Sequence, residues 1–131
     1  EAIQDDPVGI LQKTAGRLQA IIVLKGAHSL IGFPDQRVYV NTTGNHAMAT
    51  AGAGDVLTGA IAAMVGAGLP VDKAVCKGVA LHGAAGDLAA DAIGADGVTA
   101  DDILRYLAEA VRRDRLARDD ETLCPDILTI V

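Results

Sequence analysis

Between Asn45 and Gly59 the chain reads NHAMATAGAGDVLTG, and this stretch narrows the choice of fold more than any other. Gly52 and Gly54 can take backbone angles closed to other residues, and the alanines around them carry nothing beyond Cβ. Such a run can turn sharply and open a helix at Asp55, with consecutive N–H groups facing inward as a cradle for an anion. A carboxylate there is a puzzle, because it repels the anion that the turn would hold. Two readings stay open: Asp55 caps the helix, or it does chemistry beside a bound phosphate. The helix dipole, ~0.3 to 1 kcal/mol for an exposed charge and about 2 when partly buried, favours a phosphate and the Asp alike. A cap accounts for the Asp alone, whereas the bare glycines and alanines also clear the surface a ligand needs. The turn is not a P-loop, since Asp55-Val56 stands where that motif requires Lys-Ser/Thr.

The pattern around this turn predicts an α/β fold. PVGILQKTAGRLQ (Pro7 to Gln19) sets Ile10, Leu11, Ala15 and Leu18 near helical spacing, and AIIVL (Ala20 to Leu24) follows as a buried strand. SLIGF and RVYV, separated by PDQ, read as a hairpin, and NTTGN (Asn41 to Asn45) leaves the sheet as a loop. DVLTGAIAAMVGAG (Asp55 to Gly68) is small and apolar nearly all round, which suits a helix buried on several sides. A second helix spans Val71 to Gly94, with Val75, Val79 and Leu88 inward and Gly83 and Gly86 allowing close helix contact. Thr99 is the expected N-cap of a third helix, with Asp101 and Asp102 in its first turn. The closing CPDILTIV reads as a last strand or a docking tail. Helix, strand, hairpin, loop and helices in that order imply a mixed sheet with flanking helices, in one domain or part of one.

Composition removes several classes of function. A length of 131 residues is enough for one core, built here from small aliphatics with Phe33, Tyr39 and Tyr106 as the aromatics. The net charge of -6 and the few aromatics offer neither a basic stripe nor a base-stacking platform, so no nucleic-acid partner is expected. No apolar run approaches the ~18 residues of a membrane span, and EAIQDDPVG lacks the regions of a signal peptide, so the expected setting is cytoplasmic and off the membrane. Cys76 and Cys124 form no CxxC and read as plain thiols, and His28, His46 and His82 show no ligand spacing, so no metal site of protein ligands is expected.

A second candidate segment lies at the end of the first strand, where α/β sheets place ligands. Lys25, Gly26, Ala27, His28 and Ser29 could supply a phosphate contact, close backbone approach and a hydroxyl, or could form an ordinary turn with a solvated Lys. His82 and Asp87, in LHGAAGD, read as a packed histidine and an unremarked helical acid. Asp101, Asp102 and RRDRLARDD read as a solvated face. His46, in the loop before the glycine turn, is open to either ligand contact or solvent.

With both segments located, GNHAMATAGAGDVLTG resembles the signature of the NAD(P)H-hydrate dehydratases of the ribokinase-like fold, often fused to an epimerase. VLKGAHSLI, DQRVYVN and LHGAAGDLAA are similar to that family in the same order, from about Leu18 to about Leu104. The resemblance implies a metabolite-repair hydro-lyase that uses ADP or ATP, with Mg2+, to restore NAD(P)H from its S-form hydrate, NAD(P)HX. It places the nucleotide on Lys25, Gly26, Ala27, His28, Ser29, Gly52, Ala53 and Gly54, and the hydrate beside Asn45 and Asp55, with Asp55 as catalytic base. Ser29 stands where Thr is more usual, keeping the hydroxyl and losing a methyl. A small-molecule kinase of the same fold and a non-catalytic nucleotide-binding fragment are the alternatives. A homo-oligomer is the expected assembly. Family members carry a substantial segment before the matched part, so this chain reads as a C-terminal portion that needs the N-terminal part, and the tail after about Asp114 matches no family pattern.

Overall fold

The structure, a computed structural model, describes residues 6–117 in full and the backbone alone at 118 and 127–130. Helix α1 (Pro7–Leu18) opens on Asp6, whose carboxylate accepts from the Gly9 N–H at 2.8 Å, with Pro7 at the first helical position. It ends at Gln19 in the left-handed region (φ 50°), leaving Leu18 exposed while Leu11 and Ala15 are buried. Leu11 packs onto the sheet where Gly32 has no side chain: a Cβ there would lie 2.6 Å from Leu11 Cγ.

Three strands follow, β1 (Ile22–Leu24), β2 (Leu30–Gly32) and β3 (Val38–Asn41), and β4 (Ile127–Ile130) joins β3 from the far end of the chain. The expected hairpin is present, with Leu30 opposite Val40 and Gly32 opposite Val38. Its turn is closed by Phe33 N–H on the Arg37 carbonyl (2.9 Å) and by Asp35, which accepts from the Arg37 backbone and guanidinium. Every described strand pair is antiparallel, so of the expected mixed sheet the described residues form the antiparallel part. The expected buried first strand is shorter and only half-buried, because among the described residues β1 pairs on one side alone, with β2. CPDILTIV supplies β4 through Ile127–Ile130, whereas Cys124 lies outside the described residues.

Helices α2 (Ala53–Gly66), α3 (Val71–Ile93) and α4 (Ala100–Arg118) make the other layer. One core, formed by Ile31, Phe33, Leu57, Val75, Cys76 and Val79, lies between the sheet and α2 and α3. A second, formed by Leu81, Ala85, Ala89, Ile103 and Ala110, joins α3 to α4. Cys76 is a buried free thiol, pushed up to about 11 by burial and then by Asp72. Instead of being buried on several sides, α2 buries one face, Ala53, Leu57 and Ala60. Gly78 is the glycine that brings helices together, since a Cβ there would stand 2.7 Å from Ile61 Cα. Gly83 and Gly86, expected at a helix contact, instead admit Thr43 and Met48, so the space they leave is filled by the loop that precedes α2. Their side of α3 therefore builds the site rather than the helix layer.

Candidate active site

A cleft of about 620 Å³ lies where the end of β1, the loop after β3, the start of α2 and the middle of α3 converge. Of the nucleotide segment, Lys25, Gly26, Ala27 and Ser29 line it, while His28 is exposed and is not part of the lining. Asn45, His46, Ala53 and Gly54 line it from the other side. The two segments meet at one point: Lys25 Nζ stands 2.8 Å from where a Cβ on Gly54 would lie. A larger residue at position 54 would shift that ammonium, the far end of a flexible and exposed side chain, so Gly54 permits the close approach as well as the turn.

The start of α2 has no side-chain cap, and Gly52 makes the turn in the left-handed region at φ 88°. Gly52 is absent from the cleft lining; a Cβ there would come within 3.1 Å of Ala100 Cβ, so its role is to let the turn pass α4. The expected row of inward amides is shortened by the turn itself. Ala53 N–H donates to the Thr50 carbonyl (3.3 Å) and Asp55 N–H to that of Gly52 (3.0 Å), which leaves Gly54 between them on the cleft wall. The cleft thus joins a lysine ammonium to the positive end of a helix, a combination that attracts a multiply charged anion. Asp55 follows directly in the first turn of α2, exposed and next to the lining rather than within it.

Sequence reasoning assigned no part in the site to the residues that hold this wall. His82, buried in α3, donates from Nε2 to the Ala53 carbonyl at 2.9 Å and so fastens the first residue of α2. Burial holds its imidazole below the ordinary 6.5, opposed by the bond to Ala53 and reinforced by the Lys25 charge. Asp87, five residues further on and ~7.5 Å along the helix axis, accepts from Gly44 N–H (2.8 Å) and from Asn45 Nδ2 (2.7 Å). The buried Asn41 and the Thr43 hydroxyl, which lies 2.9 Å from both Asn41 Oδ1 and the Ala80 carbonyl, tie the loop to β3 and α3. The signal was present in LHGAAGD as two polar residues on a helix of glycine and alanine, but their partners are about thirty to forty residues away.

A family model described as NAD(P)H-hydrate dehydratase matches residues 1–109. The chain belongs to that family. The bifunctional NAD(P)H-hydrate repair enzyme of Thermofilum pendens is 50% identical over 112 residues, which are 86% of this chain and 21% of that protein. The ADP-dependent (S)-NAD(P)H-hydrate dehydratase of Neisseria meningitidis is 42% identical over 92 residues, 70% of this chain and 31% of that one. Among solved structures, the ADP/ATP-dependent NAD(P)H-hydrate dehydratase of Bacillus subtilis, co-crystallised with ATP/Mg2+ and soaked with CoA, superposes with a TM-score of 0.81 at 36% identity. That match covers 85% of this chain and 41% of the Bacillus chain. This family member therefore spans a fifth to a third of those curated relatives (21% and 31%) and two fifths of the solved one (41%), and within that span its α/β fold is theirs.

Proposed function

We propose that this chain supplies the nucleotide site and the catalytic base of an ADP- or ATP-dependent (S)-NAD(P)H-hydrate dehydratase. The observation that carries the reading is the meeting of Lys25 with Gly54, which puts a cation and an uncapped helix start on one anion-sized surface. The nucleotide's phosphates would lie along Lys25 to Ser29, with the terminal phosphoryl at Gly54 and the hydrate reaching between Asn45 on the cleft wall and Asp55 just outside the lining. Asp55 takes the proton of the hydrate's hydroxyl, whose oxygen attacks the terminal phosphorus; that P–O bond forms as the bond to the departing AMP or ADP breaks. Phosphate is a far better leaving group than hydroxide. It departs with the C–O electron pair while the ring loses a proton, which restores the dihydronicotinamide. Lys25 and the Gly54 turn offset the charge gathered on the phosphoryl oxygens.

Among the described residues no group of three or more His, Cys, Asp or Glu side chains could hold a metal. A magnesium ion would therefore be held mainly by phosphate oxygens and water, where it would neutralise phosphoryl charge. The same reading includes a cytoplasmic setting, supported by a substrate formed from the soluble nicotinamide cofactors, and a homo-oligomer. It also includes dependence on the rest of the dehydratase domain, supported by the share of the relatives that this chain spans.

The deciding assay gives NADH hydrate and ADP, or ATP, to the chain alone and to the chain joined to the remainder of a relative's dehydratase domain. Recovery of reduced-nicotinamide absorbance with one phosphate released per NADH is expected in the joined form. Release of an intact phosphorylated hydrate would instead mark a kinase, and nucleotide binding without turnover in the joined form would mark a non-catalytic module.

A further inference from the structure

We infer that Asp87 is a positioning residue whose carboxylate sets the orientation of Asn45 on the cleft wall, and through it the grip on the hydrated nicotinamide. This rests on the functional reading above for the ligand, but the clamp itself rests on geometry. Gly44 takes φ 98° without strain, and because its neighbours in sequence lie in a loop its N–H has no ladder or helix partner and pairs with a side chain of α3. Asp87 gives that support with one oxygen on the Gly44 N–H (2.8 Å) and the other on Asn45 Nδ2 (2.7 Å). Gly83, one turn earlier on α3, leaves room for the loop to settle: a Cβ there would stand 2.7 Å from the carbonyl carbon of Thr43.

The consequence falls on the Asn45 carboxamide. Its Oδ1 accepts from Ala47 N–H at 3.0 Å, so with Nδ2 held by Asp87 the group cannot flip without breaking both bonds. One amide hydrogen and one oxygen lone pair are left for a ligand, in an orientation set by α3. An ionised carboxylate is the side chain suited to the task, since both facing groups are donors. A carboxamide at position 87 would turn its own NH2 toward one of them.

The test uses Asp87→Asn, which keeps the shape, and the exchange pair Asn45→Asp with Asp87→Asn, in the form of the enzyme that turns over hydrate. For Asp87→Asn the KM for NADH hydrate is expected to rise roughly tenfold, the loss of one hydrogen bond to a charged group, with ADP affinity within about twofold of wild type. Hydrogen exchange at the Gly44 amide is expected to quicken. In the exchange pair the carboxamide at 87 can accept from Gly44 and donate to the carboxylate at 45, so Gly44 protection should return. The hydrate KM should stay high there, because position 45 no longer donates to a ligand. An unchanged hydrate KM in Asp87→Asn, an equal loss of ADP affinity, or Gly44 exchange that the pair does not restore would each overturn the inference. A wild-type enzyme that binds ADP but turns over no hydrate would sink the functional reading instead, and Gly44 exchange would still decide the clamp.

Discussion

At the scale of single residues, Asp55 and Gly54 are neighbours to which the proposed function gives separable tasks, to be tested in the joined form that turns over hydrate. Asp55→Asn keeps the volume and the backbone turn but cannot take a proton, so turnover of hydrate should fall by about 10²- to 10⁴-fold while ADP affinity stays within a few-fold. Stopped-time assays of NADH recovery beside equilibrium ADP titration would check it, and near-normal turnover would remove Asp55 from catalysis. Gly54→Val should do the reverse. The new side chain would occupy the place that Lys25 Nζ now approaches to 2.8 Å, so ADP affinity should drop at least tenfold, a loss of ~1.4 kcal/mol. Unchanged ADP affinity would show that the ammonium and the turn do not act together. The glycine turn that opens α2 was legible in the sequence, because glycines before a helix carry their backbone meaning locally. What was not legible is which glycine serves which neighbour: Gly52 passes Ala100 and Gly54 receives Lys25, and both partners are set by tertiary packing.

At the scale of elements, periodicity located the start of each helix within a residue or two, ended the last one at Asp114 where it runs on to Arg118, and misjudged which faces they share. Thr99 caps α4 as its position suggests, in a reciprocal arrangement where its hydroxyl oxygen accepts from the Asp102 N–H (3.4 Å) and the Asp102 carboxylate accepts from the Thr99 N–H (3.0 Å). That motif is short-range, and short-range patterns survive folding. The glycines of α3 were harder, since a helix wheel shows a small-residue stripe but not its occupant. Gly78 meets Ile61 of α2, whereas Gly83 and Gly86 meet the loop. Gly78→Val should therefore force α2 and α3 apart and lower stability by about 1 to 3 kcal/mol, as overpacking does. Denaturant unfolding followed by circular dichroism would measure it. A loss below about 0.5 kcal/mol would mean that the helices slide apart at little cost, and that the α2 to α3 spacing is not fixed at this point.

At the scale of the whole molecule, the sheet order and the return of β4 to β3 were beyond reach from sequence, because pairing over some ninety residues leaves no periodic trace. The same holds for the link that ties the helix layer to the cleft, His82 on the Ala53 carbonyl. That link makes stability depend on pH in a defined window. Burial, then the Lys25 charge, disfavour the imidazolium in the folded state against the unfolded 6.5, so below that value the unfolded chain binds the extra proton. The contribution is fully present above 6.5 and is lost as pH falls through the lower folded value, with a slope of at most ~1.4 kcal/mol per pH unit. Glu109, held near 2 by Arg112 and then Arg113, belongs to a separate window, since what it adds is lost only as pH falls below 4.5. Melting temperature should therefore decline between about pH 7 and pH 5. His82→Gln, which can still donate to Ala53 and does not titrate, should flatten that decline while leaving the fall in the Glu109 window in place. A variant whose melting temperature tracks wild type across the upper window would show that protonation of His82 is not what loosens the start of α2.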